Sequence, residues 1–185
     1  MSTQVQKRDL VYYVAVSIDH YIAHEDGSID GFPTEGTYVP DFMNSLMDYG
    51  AILMGRNTYE FGYQYGMQPG DPAYPHTRLT NHVFSSSMAS FASEDVQIIS
   101  NEPAEYVRDL KAQVGKPLWL CGGGALAGSL LDAGEINRMI LKINPVVFGS
   151  GIPLFGASSR DCTLSLLDTK IYHDGVIFAH YAVQY

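Results

Sequence analysis

The stretch "LWLCGGGALAGSLL", Leu118–Leu131, decides how this chain is read. A short apolar strand runs into three consecutive glycines and then into an apolar segment of helical character. Glycine is entropically costly to order, so a run of it at a strand end means that something approaches the backbone there or that the turn needs dihedrals other residues refuse. A tight turn alone would need one glycine; three favour a ligand. Free N–H groups at the first turn of a helix starting near Ala125 carry the positive end of its dipole, which suits a diphosphate.

Outward from this junction the chain alternates strands and helices. "LVYYVAVSI", Leu10–Ile18, is a continuous apolar run rich in β-branched and aromatic residues, the pattern of a central strand buried on both faces. The polar, glycine-bearing segment from Asp19 to Thr37 is too long for a simple connector and reads as a loop over a site. Pro40 opens a helix with Phe42, Met43, Leu46 and Met47 at helical spacing, Gly50 ends it, and "AILMG" returns as a strand. Residues 66–80 form a proline-rich excursion; "HVFSS" and "VQIIS" are short strands. "PAEYVRDLKAQV", from Pro103, is an amphipathic helix with Tyr106, Val107, Leu110 and Val114 on one face, opposite Arg108, Asp109 and Lys111. "RMILKI" is a strand, "NPVVFGSGIPLFG" an irregular connection, and Asp174-Gly175 between two alternating runs predicts a hairpin. The expected architecture is a three-layer α/β fold, one domain over residues 1–185, with a mostly parallel sheet and an antiparallel C-terminal hairpin.

Composition narrows the partners. The 185 residues are 46% hydrophobic, enough for a full core, and 11 basic against 20 acidic residues leave a net charge of −9. That balance argues against nucleic acid, whose phosphates need lysine and arginine. No membrane-spanning run and no leader-like N-terminus are present, so a cytoplasmic protein is expected. Cys121 and Cys162 form neither a redox pair nor a metal set, and His20 and His24 lack a third ligand, so no metal is expected. The apolar ending "AHYAVQY" suggests a buried sheet edge and hence a homodimer.

Gly122, Gly124 and Ala127 formally match the G-x-G-x-x-A dinucleotide fingerprint of Rossmann-type dehydrogenases. The acidic residue that fingerprint wants about 20 positions on is missing, with Lys142 and Asn144 in its place, and the chain closes in a hairpin rather than in further βα units. Two other strand ends add polar groups. "MGRNTYEF" sets Arg56, an isolated cation, beside Asn57 and Thr58 after Gly55; "FSSS" puts Ser85, Ser86 and Ser87 at the end of another strand. The ends at 55, 85 and 122 would face one edge of a parallel sheet, where open α/β folds bind ligands.

With these motifs together the chain resembles the dihydrofolate reductase superfamily, and within it the C-terminal reductase domain of riboflavin biosynthesis proteins, in its small stand-alone branch. "SIDHYIA" (Ser17–Ala23) is similar to that family's SLDGYIA, "LMGRNTYE" to MGRxTYE, "LWLCGGGALA" to GGGELA, and "PVVFGSGIPLF" (Pro145–Phe155) matches almost throughout. The resemblance implies a dihydrofolate reductase-like fold and an NADPH-dependent reductase acting on a flat heterocyclic or imine-like substrate of pterin or aminopyrimidine type. It implies that Gly55, Arg56, Asn57 and Thr58 bind the diphosphate and the adenosine 2′-phosphate, that Ser85, Ser86 and Ser87 line the ribose phosphate, and that Gly122, Gly123, Gly124, Ala125 and Leu126 clamp the diphosphate. In dihydrofolate reductases the first two of these glycines are joined by a cis peptide. Ala15 and Ile22 would border the nicotinamide, and the always-charged guanidinium of Arg56 favours NADPH over NADH.

The departures concern the substrate. The carboxylate that dihydrofolate reductases place on the helix after the long loop falls near Val39, with Asp41 the nearest acid; His20 stands where the family has glycine and Ala125 where it has glutamate. Asp19 is then the candidate for orienting the substrate or relaying a proton, and Tyr63 or Tyr65 for stacking on it. The alternatives are a non-catalytic NADP-binding protein of the same fold and, further off, a Rossmann-type dehydrogenase.

Overall fold

The computed structural model describes residues 7–91 and 93–185; the first six residues of the N-terminal stretch read for a leader lie outside the description. In chain order the elements are β1 (Leu10–Val16), β2 (Tyr21–Ala23), α1 (Val39–Ser45), β3 (Ala51–Gly55), α2 (Arg56–Glu60), β4 (Thr80–Phe84), β5 (Val96–Ile99), α3 (Pro103–Ala112), β6 (Leu118–Gly122), α4 (Gly124–Asp132), β7 (Arg138–Ile143), β8 (Ile152–Pro153), β9 (Thr163–Ile171) and β10 (Ile177–Gln184). Eight strands form one sheet in the order β5-β4-β3-β6-β1-β7-β10-β9, and β2 pairs with β8 beside it. The six strands from β5 to β7 are parallel, with Leu10 opposite Leu118 and Val11 opposite Arg138, while β10 runs antiparallel to β7 and β9. This order, ending in antiparallel strands, is not that of a doubly wound Rossmann sheet, which sets the dehydrogenase alternative aside.

The continuous apolar runs follow from two-sided burial. Leu10 and Tyr12 of β1, Leu118 and Leu120 of β6 and Leu53 of β3 pack on one face with Val107 and Leu110 of α3 and Leu126, Ala127 and Leu130 of α4. The alternate residues, Val11, Tyr13, Ile52, Met54 and Trp119, pack on the other with Leu46, Tyr38 and Tyr59. Each such large side chain taken fully from water contributes roughly 1.5–3 kcal/mol. The hairpin turns where Asp-Gly predicted it: the Tyr172 amide donates to Val176 O at 2.9 Å, and Gly175 takes φ 83°.

Three expectations need correcting. Helix α3 ends at Ala112, so Val114 is exposed, while Lys111 turns inward. The reason is Glu135: Lys111 Nζ donates to its carbonyl at 2.7 Å and its carboxylate at 3.2 Å. Helix α4 begins one residue earlier than expected, at Gly124, with Gly123 as its N-cap. The sheet edge is β9 rather than the C-terminal strand, because β10 lies between β7 and β9. Among the described residues, no helix is long and apolar enough to cross a membrane.

Candidate functional site

The strand ends at Gly55, Phe84 and Gly122 lie along one edge of the sheet, because β3, β4 and β6 are parallel neighbours with Met54 opposite Gly122 and Gly55 opposite Phe84. A register break between Leu53 and Met54 leaves Cys121 as an extra residue on β6 and brings the glycines level with the end of β3. Gly122 takes φ 138°, and the Gly122–Gly123 peptide bond is cis.

The three glycines serve two ends. A Cβ on Gly122 would meet only Thr58 Oγ1, at 3.8 Å, and one on Gly123 would meet Thr58 Oγ1 at 3.3 Å and Ile22 Cδ1 at 4.0 Å. These two positions form a bare backbone ledge against Thr58 and Ile22, with Gly55 close enough that its Cβ would lie 3.8 Å from Gly123 N. Gly124 is different: a Cβ there would collide with the Pro153 carbonyl oxygen, and one on Gly128 with that of Phe155. The missing side chain of the third glycine makes room for the Ile152–Gly156 segment against α4 rather than for a ligand, which leaves its amide free to serve the ledge.

Arg56 opens α2 at the rim of this ledge. Its Nη1 donates to Ser87 Oγ at 3.2 Å and its Nε to Glu60 Oε1 at 2.8 Å, with 45% of the side chain exposed. Two residues from separate strand ends are thereby brought together as a cation and a hydroxyl facing solvent. Ser85 is spent locally, its Oγ accepting the Ser87 and Met88 amides at 3.3 and 3.0 Å; Ser86 and Asn57 are exposed beside the pair. Ala125 and Leu126 follow the ledge in the first turn of α4, the first exposed and the second 8% exposed. A glycine ledge that a Cβ would fill, next to an exposed guanidinium, fits the diphosphate and extra phosphate of NADPH.

Beside the ledge opens a cavity of about 990 Å³, whose lining includes Ala15, Ile22 and Thr58 at the glycine end. Helix α1 contributes Val39, Phe42 and Met43, and the proline-rich excursion contributes Tyr65, Met67, Tyr74 and Pro75. Trp119 forms part of its wall, its Nε1 donating to Tyr13 O at 2.9 Å and its ring 5.0 Å from that of Tyr74 and 6.0 Å from that of Phe42. Tyr65 lines the cavity, whereas Tyr63 packs on Tyr59 at 5.8 Å. Cys121 also lines it, and burial pushes its thiol up to about 12, leaving it protonated and inert.

The two candidate carboxylates, Asp41 and Asp19, stand apart from this chamber. Asp41 points away to the hairpin, where its Oδ2 accepts Tyr172 OH at 2.7 Å and Lys170 Nζ at 2.5 Å, so α1 presents only apolar side chains to the cavity. Asp19 is not in the lining; it accepts the Phe148 and Gly149 amides at 3.1 and 2.7 Å and ties the start of the long loop to the connection after β7. A hydrogen bond from Ser17 and these two amides hold its carboxyl at about 2, which is the state of a structural anion rather than of a proton donor near neutrality. His24 stacks on Phe148 at 3.9 Å and Phe32 on Phe148 at 4.8 Å, so loop and connection form one packed lid. His20, in the family's glycine position, adopts φ 63°. Among the described residues no cluster of potential metal ligands occurs.

Sequence reasoning passed over Lys142 as a site residue. It lines the cavity from β7, opposite Ala15 of β1, and is 9% exposed. Burial lowers its ammonium from the ordinary 10.5 to about 8, against the opposing charge of Asp174. The signal was a lysine inside the otherwise apolar core of "RMILKI".

Comparison with known proteins agrees with this fold. The RibD C-terminal domain profile matches residues 8–178. The uncharacterized protein YwjB of Bacillus subtilis (strain 168) is 33% identical over 171 residues, covering 92% of this chain and 95% of YwjB. A pyrimidine reductase-like protein from Corynebacterium diphtheriae superposes with a TM-score of 0.71 at 19% identity, over 99% of this chain and 94% of that one. Dihydrofolate reductase from Enterococcus faecalis, solved with NADP(H) and RAB-propyl, superposes with a TM-score of 0.62 at 15% identity, over 95% and 96%. The fold is dihydrofolate reductase-like, and the chain belongs to the RibD C-terminal domain family.

Proposed function

We propose that the protein is an NADPH-dependent reductase acting on a small flat heterocyclic or imine-like substrate, of aminopyrimidine rather than folate type. One observation carries the reading: the glycine ledge with its Arg56–Ser87 rim and the aromatic cavity meet at Ala15, Ile22 and Thr58. Bound NADPH supplies a hydride at its nicotinamide ring. In this reading the backbone of Gly122, Gly123 and Gly124, with Ala125 and Leu126, holds the diphosphate, helped by Gly55, Asn57 and Thr58. Arg56 and Ser87 hold the 2′-phosphate, with Ser85 and Ser86 beside them. Ala15 and Ile22 form the wall against the nicotinamide, and the aromatic cavity excludes water and fixes the substrate plane, which is where positioning lowers the barrier. Folate is disfavoured because Asp41, the nearest acid to the pterin-binding position, is engaged by Tyr172 and Lys170 outside the cavity.

The family likeness and the reductase neighbours support oxidoreductase chemistry in general. A second reading, a non-catalytic NADP-binding protein, draws on one feature: Lys142 and Asp71 are the only charged residues in the lining among those described. Following NADPH consumption with a panel of pterins, aminopyrimidines and cyclic imines separates the two. Steady turnover with any member supports the reductase; tight NADPH binding with no turnover across the panel favours the second reading. The homodimer expected from the sequence is assigned in this reading to β9, where Leu164, Leu166, Leu167 and Ile171 are exposed.

A further inference from the structure

Among the described residues, Lys142 is a cation with no directly paired carboxylate inside an aromatic chamber. It sits on an interior strand between Ala15 of β1 and Phe178 of β10. Its Nζ donates to Pro33 O at 2.9 Å and lies 4.0 Å from the centroid of the Tyr38 ring. An ammonium has three protons to donate, and the Pro33 carbonyl takes one while also accepting the Tyr38 hydroxyl. Lys142 belongs to none of the ion pairs among the described residues. Asp174, whose charge favours the ammonium, spends its oxygens on the Thr37 and Val176 amides at 3.1 and 3.3 Å. Asp71, the other charged residue of the lining, is exposed and accepts the Gln68 amide at 2.8 Å.

A buried charge is retained at a cost unless it is paired. Here the protein supplies a cation–π face and one carbonyl but no carboxylate within ion-pair distance, and two N–H donors remain for whatever enters the cavity. We propose that the cavity takes a planar aromatic or heteroaromatic anion, a ring bearing a carboxylate or enolate oxygen, with Lys142 holding that oxygen and the ring lying against Phe42, Tyr74 and Trp119. The same ammonium rejects rings that carry a positive charge, such as an aryl amidinium, because two cations would then share a water-poor space. The anchored oxygen then lies beside Pro33 and Tyr38, the groups that surround the ammonium. The proposal rests on the reductase reading for what becomes of the ligand, and on the cavity alone for its binding.

The groups facing the ammonium set the pH behaviour. They are Tyr38 from the segment before α1, Asp174 from the hairpin turn, and the Pro33 carbonyl from the lid, while Ala15 and Phe178 do not titrate. The Tyr38 hydroxyl is raised by burial and keeps its proton while Lys142 titrates near 8.

The test is calorimetric titration of the whole protein with 2-naphthoate and 2-naphthamidine, which share a ring and differ in charge. At pH 7 the naphthoate binds at least about tenfold tighter; above about pH 8 its affinity falls by up to tenfold per pH unit as the ammonium is lost. Lys142→Met, shown to be folded by its thermal transition, abolishes the preference, and Lys142→Arg keeps part of it. Equal binding of the two probes, tighter binding of the amidine, or a preference unchanged in Lys142→Met overturns the proposal. If Lys142→Met fails to fold, the wild-type pH profile decides, and a flat profile overturns it. A parallel NADPH titration separates the two claims: naphthoate preference without NADPH binding removes the reductase reading and leaves the anion site, and the reverse result removes the anion site alone.

Discussion

Arg56 and Asp19 are both charged residues at the ends of strands, and their surroundings assign them opposite work. Arg56 keeps most of its donors toward solvent beside Ser87, so Arg56→Ala is expected to weaken NADPH at least about tenfold while leaving NADH almost unchanged, as equilibrium titration of both would show. Asp19 faces inward to backbone amides of the 145–149 connection, and its carboxyl is held at about 2 against an ordinary 3.8. A depressed carboxyl contributes stability that is present above the unfolded value and lost as pH falls through the folded one. Asp19→Ala therefore lowers Tm near neutrality, and the deficit against wild type closes below about pH 2 in thermal melts. Lys142 has the opposite sign. Its lowered value makes the buried ammonium a cost that is fully present below about 8 and relieved as pH rises toward 10.5. Lys142→Met should then raise stability at pH 7 by about 1–2 kcal/mol, less than the full shift implies because the group is partly screened, with the gain shrinking in alkaline melts. Arg56 and Ser87 were legible as separate polar strand ends. The lysine was not, because one charge in an apolar strand carries no spacing pattern and its meaning depends on which neighbour lies across the sheet.

At the scale of elements, the junction between β6 and α4 shows how far a glycine run can be read. The turn and the ledge were legible, since Gly122 and Gly123 stand beside Thr58 with little else near them. The role of Gly124 was not legible, because it depends on Pro153, far along the chain and brought close only by the return of the Ile152–Gly156 segment. The two kinds of glycine should separate experimentally. Gly128→Ala forces a methyl into the Phe155 carbonyl and is expected to cost about 1–3 kcal/mol in denaturant unfolding. Gly123→Ala meets only side-chain atoms at 3.3 Å or more, so it should fold yet lose NADPH affinity about tenfold or more. Equal destabilisation by both would show that the ledge is merely packed. The strands of the parallel core follow the apolar runs closely because burial on both faces leaves nothing else compatible with those residues. The inward turn of Lys111 was missed because it pairs with Glu135, a partner that periodicity cannot reveal.

The whole molecule joins a glycine ledge to an aromatic chamber across the parallel part of the sheet and leaves β9 exposed at the antiparallel edge. Strand order beyond the motifs came from tertiary pairing: the Asp-Gly turn announces the hairpin, but nothing local says that β10 inserts between β7 and β9. An exposed strand bearing Leu164, Leu166, Leu167 and Ile171 is a surface that proteins ordinarily cover. A dimer by light scattering that Leu166→Glu converts to monomer would place the contact there; a wild-type monomer at working concentration would remove it. The claim that everything else depends on is the coenzyme. Trp119 is the chain's single tryptophan and lines the cavity next to the ledge, so its emission reports on what binds there. Titrating NADPH and NADH separately against that emission is the direct measurement: the account predicts saturable quenching with NADPH bound at least about tenfold tighter than NADH, and no saturable response to NADPH, or equal affinity for the two, would contradict it.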